Sequence, residues 1–283
     1  MAIIFHCPHC QKEYRVGRSR AGKKGACRQC GKAIQVPVPA EGVPESGDVE
    51  LTSSGSPIYR HEPRKVPFDV AAGDSENIER ISSHIEKHLG PIENVLHEIV
   101  SDLVHIDVHL VAPTEECPAY RLVTSGMSDA PMNAPEGAEE FRFAELMITL
   151  PEEWPLNQED WEDEANFWPI RWLKMLARFP HEYDTWLGYG HTVPNGDPPE
   201  PFADNAKLCC ALILVSPNVP KEFVELKVDE EKSIHFYSIV PLYQEELQFK
   251  LDRGVDDLLE LFDRHGITDL IDPARKNVCK KGW

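Results

Sequence analysis

The nine residues Leu103-Val104-His105-Ile106-Asp107-Val108-His109-Leu110-Val111 decide how this chain is read. Val104, Ile106, Val108 and Leu110 share one face of an extended chain, while His105, Asp107 and His109 share the other. A period of two is that of a β-strand with one face in a core. Upstream, Val95 to Val100 and a Ser101-Asp102 turn supply its hairpin partner. Further upstream, Asp74 or Ser75 caps a helix whose Ile78, Ile81, Ile85 and Leu89 recur at helical spacing, and Gly90-Pro91 stops it. Downstream, strands are expected at Tyr120–Thr124, Phe141–Leu150, Trp186–Tyr189, Leu208–Val215 and Ile234–Val240. A helix is expected over Phe167–Phe179, with Pro169 in its first turn, and two more at Glu245–Arg253 and Val255–His265. Strands and helices do not alternate regularly. The expected class is therefore α+β, a mixed, mainly antiparallel sheet flanked by helices.

The amino-terminal end follows different rules. The pairs Cys7-x-x-Cys10 and Cys27-x-x-Cys30 have the spacing of two zinc knuckles, in which four thiolates complete a tetrahedron. Gly31 suits a positive φ after the second pair, Pro8 stiffens the first, and Glu13–Val16 and Ala33–Val36 read as short strands. A unit of this size makes little core, so a metal would supply its folding free energy. One structural Zn2+ per chain is expected on Cys7, Cys10, Cys27 and Cys30. A redox dithiol lacks the βαβ context, disulfides do not suit a cytoplasmic chain, and His6 and His9 read as neighbours of the first pair. A proline- and glycine-bearing stretch follows with little periodicity. The division expected is a ribbon at 1–37, a flexible linker at 38–63 and a large domain at 64–283.

Charge separates the same units. The 283 residues sum to −19, but residues 1–40 hold eight bases and one acid, or +7. The rest holds 21 bases and 47 acids, or −26. Such acidity argues against phosphate binding by the large domain; the basic ribbon stays open to nucleic acid. No apolar run reaches the roughly 18 residues of a membrane span, and Met1–Phe5 is too short for a secretory core. A cytoplasmic protein is expected.

No catalytic constellation stands out. His105, Asp107 and His109 share a strand face, where Asp–His hydrogen bonding is commoner than ligation. Ser125 and Ser128 flank Gly126-Met127 without a nucleophile elbow. Cys209-Cys210 read as core thiols. His191, in Gly188-Tyr189-Gly190-His191-Thr192, is either a partner contact or a structural hydrogen bond. Seven acids between Glu152 and Ala165, with Trp154 and Trp161 among them, suit a basic partner or a solvated helix start.

The large domain resembles the suppressor-of-fused (Sufu) family over roughly 75–265. The residues that carry the resemblance begin with His105-Ile106-Asp107-Val108 through Ala112-Pro113-Thr114. They continue with Leu122-Val123-Thr124-Ser125-Gly126-Met127-Ser128 and Pro131-Met132, then Arg142, Glu145, Leu146, Leu150-Pro151 and Trp154. Gly190-His191-Thr192, Phe236-Tyr237, Val240-Pro241-Leu242-Tyr243 and Glu245-Glu246-Leu247 complete the set. Animal members carry a second domain after this one, and here the chain ends. The ribbon and the length look bacterial. The resemblance implies a non-catalytic domain that captures a protein partner, in animal relatives as an extended peptide adding a strand. In bacterial relatives it implies an immunity role in toxin systems, and the acidity of this domain makes a basic toxin domain one partner to expect. Partner-contact candidates are His105, Asp107, Met127, Tyr189 and His191. The rival reading is a nucleic-acid-associated regulator that makes contact through the ribbon.

Overall fold

The computed structural model describes residues 2–7, 10, 12–17, 24–35, 50–62, 68, 70–98, 100–115 and 117–280. The chain divides into two compact units, Met1–Val43 and Pro44–Trp283.

The first unit is two small hairpins. β1 (Ala2–His6) pairs antiparallel with β2 (Glu13–Gly17), and β3 (Lys24–Ala26) with β4 (Ala33–Gln35). Each cysteine pair sits in a tight turn: Cys7 N donates to Lys12 O at 2.9 Å, and Cys27 N to Lys32 O at 2.7 Å. Gly31, at φ +71°, takes the left-handed conformation the second turn requires. The roles expected for Pro8, His9 and Val36 fall outside the described residues, as does the stretch 36–49.

In the second unit the strands are β5 (Ile92–Leu96), β6 (Asp107–Val111), β7 (Ala119–Ser125), β8 (Ala144–Pro151), β9 (Thr192–Pro194), β10 (Cys210–Leu214), β11 (Glu225–Lys227) and β12 (Ser233–Leu242). They form one sheet in the order β5-β6-β7-β8-β12-β10-β9, with β11 also on β12. Every pairing is antiparallel except β8 with β12. The helices are α1 (Ser75–His88), α2 (Glu164–Glu182), α3 (Gln244–Arg253) and α4 (Val255–His265). This is the mixed, mainly antiparallel α+β class read from the sequence.

Alternation along each strand builds two apolar layers. Val108, Leu122, Leu146, Ile148, Ala211, Ile213 and Ile239 face α2, whose Trp168, Trp172, Leu173 and Leu176 cover them. On the other face, Ile81 and Ile85 of α1 meet Val111, Val123, Met147 and Phe236. Beside them, Leu247 of α3 and Leu258 and Phe262 of α4 cover Cys210, Leu212 and Val240. Cys209 and Cys210 are buried thiols, as expected.

Several boundaries differ from the reading of the sequence, each for a local reason. α2 begins at Glu164, so Pro169 lies beyond its first turn. The carbonyl this proline leaves without an N–H partner, Ala165 O, accepts instead from Asn205 Nδ2 at 3.1 Å. The Trp186–Tyr189 stretch is no strand, because His191 N turns back to Gly188 O and Gly190 sits at φ +80°. The edge strand starts only at Thr192. β6 begins at Asp107 rather than Leu103, whose φ of +66° breaks the extension. Its partner β5 runs Ile92–Leu96, earlier than expected, and the connection is the longer segment 97–106 rather than a two-residue turn. β11 was not expected. Residues 50–62 touch α3, the loop after β9 and α2. Ser54 N donates to Leu251 O at 3.1 Å, Arg60 pairs with Asp197 at 3.1 Å, and His61 packs edge-on against Phe179 at 5.3 Å. No described helix is long and apolar enough to cross a membrane.

Candidate metal centre and partner-binding edge

In the small unit the four thiols converge. One Sγ from each of Cys7, Cys10, Cys27 and Cys30 lies within 4.8 Å of the others. Cys7 and Cys30 are 3.7 Å apart at sulfur, and Cys10 and Cys27 3.6 Å. A tetrahedron with metal–sulfur bonds of about 2.3 Å has sulfur–sulfur edges of about 3.8 Å. The set therefore fits a four-thiolate metal site, and these separations are far too long for disulfides. Outer contacts converge on Cys27, whose Sγ accepts from Tyr14 Oη at 3.1 Å and Gln29 N at 3.4 Å. Tyr14 Oη in turn accepts from Arg28 N at 2.7 Å. Led by the Tyr14 hydrogen bond, these contacts hold the Cys27 thiol down to about 5, while burial and the neighbouring sulfurs raise Cys10 and Cys30.

In the large unit the residues singled out from the sequence separate into two places. His105 and Asp107 belong to the corner between β5 and β6, where charges close on one another. Asp107, 2% exposed, accepts from His97 Nδ1 at 2.9 Å and Glu98 N at 3.3 Å, and His105 Nε2 lies 3.1 Å away. Glu98 is clasped by Arg178 Nη2 at 2.6 Å to both oxygens and accepts from Ser101 Oγ at 2.8 Å. Ser101 Oγ also lies 2.7 Å from His105 Nδ1, so serine, histidine and aspartate form a chain. It is no acyl-transfer site: Ser101 is 2% exposed and its hydroxyl donates to Glu98. His109 is buried against Ser125 Oγ at 2.9 Å.

Next to this corner lies Glu145, fully buried on β8. Its carboxyl accepts from Thr124 Oγ1 and Ser128 Oγ, each at 2.6 Å, from Gly126 N at 3.0 Å and from Ser128 N at 2.9 Å. Burial pushes it up to about 7, with those hydrogen bonds pulling the other way. The Ser125-Gly126-Met127-Ser128 block is thus the cradle of a buried carboxyl. Gly126 must be glycine, since at φ +103° an added Cβ would stand 1.8 Å from His105 O. Met127 is itself fully buried, and its carbonyl accepts from His181 Nε2 at 2.9 Å.

Tyr189 and His191 lie at the other end, beside edge strand β9. Tyr189 is half exposed. The His191 ring packs edge-on against Trp186 at 4.5 Å and is pushed down to about 4, by burial first and then by the charge of Lys250. Asn195 N bonds Cys209 O, and Ile213 N bonds His191 O, which sets the alternation along β9. The Thr192 N–H and C=O and the Pro194 C=O therefore point away from β10. Pro194 is tolerated because its missing donor faces outward. Among the described residues no backbone group bonds this outer edge.

The acidic stretch divides its labour. Asp160 accepts from Asn157 N and Nδ2, and Asp163 caps α2. Trp154 is buried, with its indole N–H on Asn166 O at 3.0 Å, and Trp161 packs against the same core. The tryptophans are thus core side chains, and the remaining acids line the surface.

Sequence reading overlooked Glu145 as a centre and Lys250 altogether. Both sit at positions whose burial only the packed sheet reveals.

A family model for Suppressor of fused protein (SUFU) matches residues 102–276, more than half of the chain. The chain is 26% identical over 137 residues to protein UU111 of Ureaplasma parvum serovar 3, spanning 48% of this chain and 63% of that relative's length. The fold is similar to a SUFU homolog from Neisseria gonorrhoeae FA 1090, with a TM-score of 0.54 at 21% identity over 74% of this chain and all of that one. It is also similar to a chain of the Sufu-Fu complex, with a TM-score of 0.51 at 13% identity over 71% of this chain and 92% of that one. A third neighbour is Drosophila Suppressor of Fused, with a TM-score of 0.50 at 14% identity over 73% of this chain and 54% of that one.

Proposed function

The chain belongs to the suppressor of fused family, and on that premise we propose that it is a non-catalytic protein-binding protein. Its large domain captures a partner's extended segment as an added strand on the outer edge of β9. The observation that carries this reading is the open edge itself, with Thr192 and Pro194 offering unpaired backbone groups beside half-exposed Tyr189. His105, Asp107 and Met127 stand behind the fold rather than in contact, since their side chains are buried or engaged with one another. The excess of acid in this unit steers a basic partner toward it. The specific form we favour is an immunity-type or regulatory protein of the cytoplasm whose partner is a basic toxin domain.

The small unit is a ribbon held by one structural Zn2+ on Cys7, Cys10, Cys27 and Cys30. When bound, the metal supplies the folding free energy that so small a core lacks. The net charge of residues 1–40 favours a second reading, in which the ribbon touches nucleic acid. That contact would weaken steeply as salt rises.

Capture from the native host with the full chain as bait tests the main reading. A Thr192→Pro variant removes one outward N–H and leaves the β10 ladder intact, so it should lose the partner that wild type retains. Equal capture by both chains would sink the proposal. Metal analysis should find about one zinc per chain, absent after Cys7→Ser with Cys27→Ser.

A further inference from the structure

Under the open edge of β9 lies a charge without a counter-charge. Lys250, in the last turn of α3, is only 8% exposed. Its ammonium has three donors, and the one hydrogen bond described for it is a long one, 3.4 Å to Thr192 Oγ1. Among the described residues no carboxylate pairs with it, although carboxylates are plentiful in this unit. Its charge acts on the Cys210 thiol of β10 and on the His191 ring, which it helps keep neutral. Burial lowers the lysine's own affinity for its proton. The buried acids here are answered, Glu246 by Arg275, Asp107 by two histidines and Glu145 by four donors. The other buried base, Arg121, also lacks a carboxylate but donates to two carbonyls, Leu89 O at 3.4 Å and Asn218 O at 3.2 Å. A buried ammonium with one poor acceptor is held at a cost that a bound anion would offset.

The position of Lys250 says which anion. Thr192 pairs with Leu212, and Leu212 faces α3 and α4, so Thr192 presents its hydroxyl to the α3 side of the sheet. A strand added outside β9 alternates its side chains across the same two faces. The side chain opposite Thr192 on the α3 face stands about 5 Å from Thr192 at Cβ. That places it within reach of the ammonium.

We infer that Lys250 is a carboxylate receptor, and that the partner strand carries an Asp or Glu opposite Thr192. This deepens the β9 reading and rests on it. The carboxylate takes the donors that Thr192 leaves unused and makes a charge-assisted pair where solvent is scarce. A partner basic overall thus carries one acid at a fixed register, which separates it from any merely basic ligand.

Randomised heptapeptides displayed on phage, selected on the full chain, supply the probe. Wild type should enrich Asp or Glu at one position of the recovered motif. Lys250→Met, which keeps the stem and removes the charge, should recover the same motif without the acid. The acidic peptide's affinity should fall by about 10- to 100-fold in that variant. Lys250→Arg keeps the charge and guards against a folding defect, so it should retain the preference. No acidic enrichment on wild type, or the same enrichment on Lys250→Met, would overturn the inference. If the recovered peptides ignore Thr192→Pro, or none is recovered, the β9 reading fails and takes this one with it. Peptides that need Thr192 but carry no acid refute the lysine's role alone.

Discussion

The two ends of the sheet are built on opposite terms. At the β5–β6 end the buried acids meet bases: Asp107 meets His97 and His105, and Glu98 meets Arg178. The edge there is also blunted, by a register shift between Ile92 and Asn94 and by Asn94 Oδ1 accepting from Val95 N at 2.9 Å. At the β9 end a short strand presents outward backbone groups, a half-exposed tyrosine lies beside it, and a buried lysine lacks an acid. Single buried nitrogens without a partner occur elsewhere too, at His109 Nδ1 and Arg178 Nε among others, but at β9 a buried full charge without an acid lies beside an open strand edge. That difference, more than the richness of histidines and acids, directs the functional reading to β9.

The largest expected effect tests how rigid the closed end is. Gly126→Ala puts a Cβ against His105 O at a left-handed φ, and urea unfolding should show a loss of about 4 kcal/mol or more. A loss below about 1 kcal/mol would mean that the Glu145 cradle yields easily. Next, Glu98→Ala leaves Arg178 without its carboxylate in a largely buried pair, and should cost about 3 kcal/mol. A neutral result would strip the closed end of its energetic meaning.

Acidity distinguishes the two ends by sign. His191 titrates at about 4 in the folded chain against 6.5 ordinarily, so the unfolded chain takes its proton first. Stability from this group is complete above 6.5 and lost as pH falls toward 4. Glu145, at about 7 against 4.5, does the reverse: the folded chain keeps its proton longer, and stability is lost as pH rises from 4.5 to 7. In the intact protein these slopes oppose each other. Glu145→Gln should expose the decline toward acid, and His191→Gln the decline toward neutrality, each by about 2 to 3 kcal/mol across its window. Unchanged profiles in both variants would contradict the assignments. The smallest effect is the most telling about β9: Lys250→Met should stabilise the chain by about 1 kcal/mol, since it removes an unanswered charge. A clear destabilisation would show that the lysine already has its partner within the fold.

Much of this is legible in the sequence. The alternation of Val104 to Leu110 gave the sheet, Asp74 gave the cap of α1, where it accepts from Glu76 N and Asn77 N, and the cysteine spacing gave the four-sulfur cluster. What stayed hidden depends on long-range packing. β9 is three residues long and follows two glycines, too little pattern for a period of two to show. Glu145 sits between Ala144 and Leu146 as one acid in an apolar run, and only the parallel β8–β12 pairing buries it. Lys250 reads as a solvated helix charge. Its spacing from Glu246 and Leu247 places it on their face, and that face is buried. A lysine three and four residues beyond two buried positions is the signal that could have found it.

The central claim is that β9, and not β5, receives the partner. Amide hydrogen exchange of the full chain, with and without the captured partner, tests it most directly. The account predicts that the Thr192 amide slows strongly on binding while Ile92–Leu96 keeps its rate. Unchanged exchange at Thr192, with new protection along Ile92–Leu96, would contradict it.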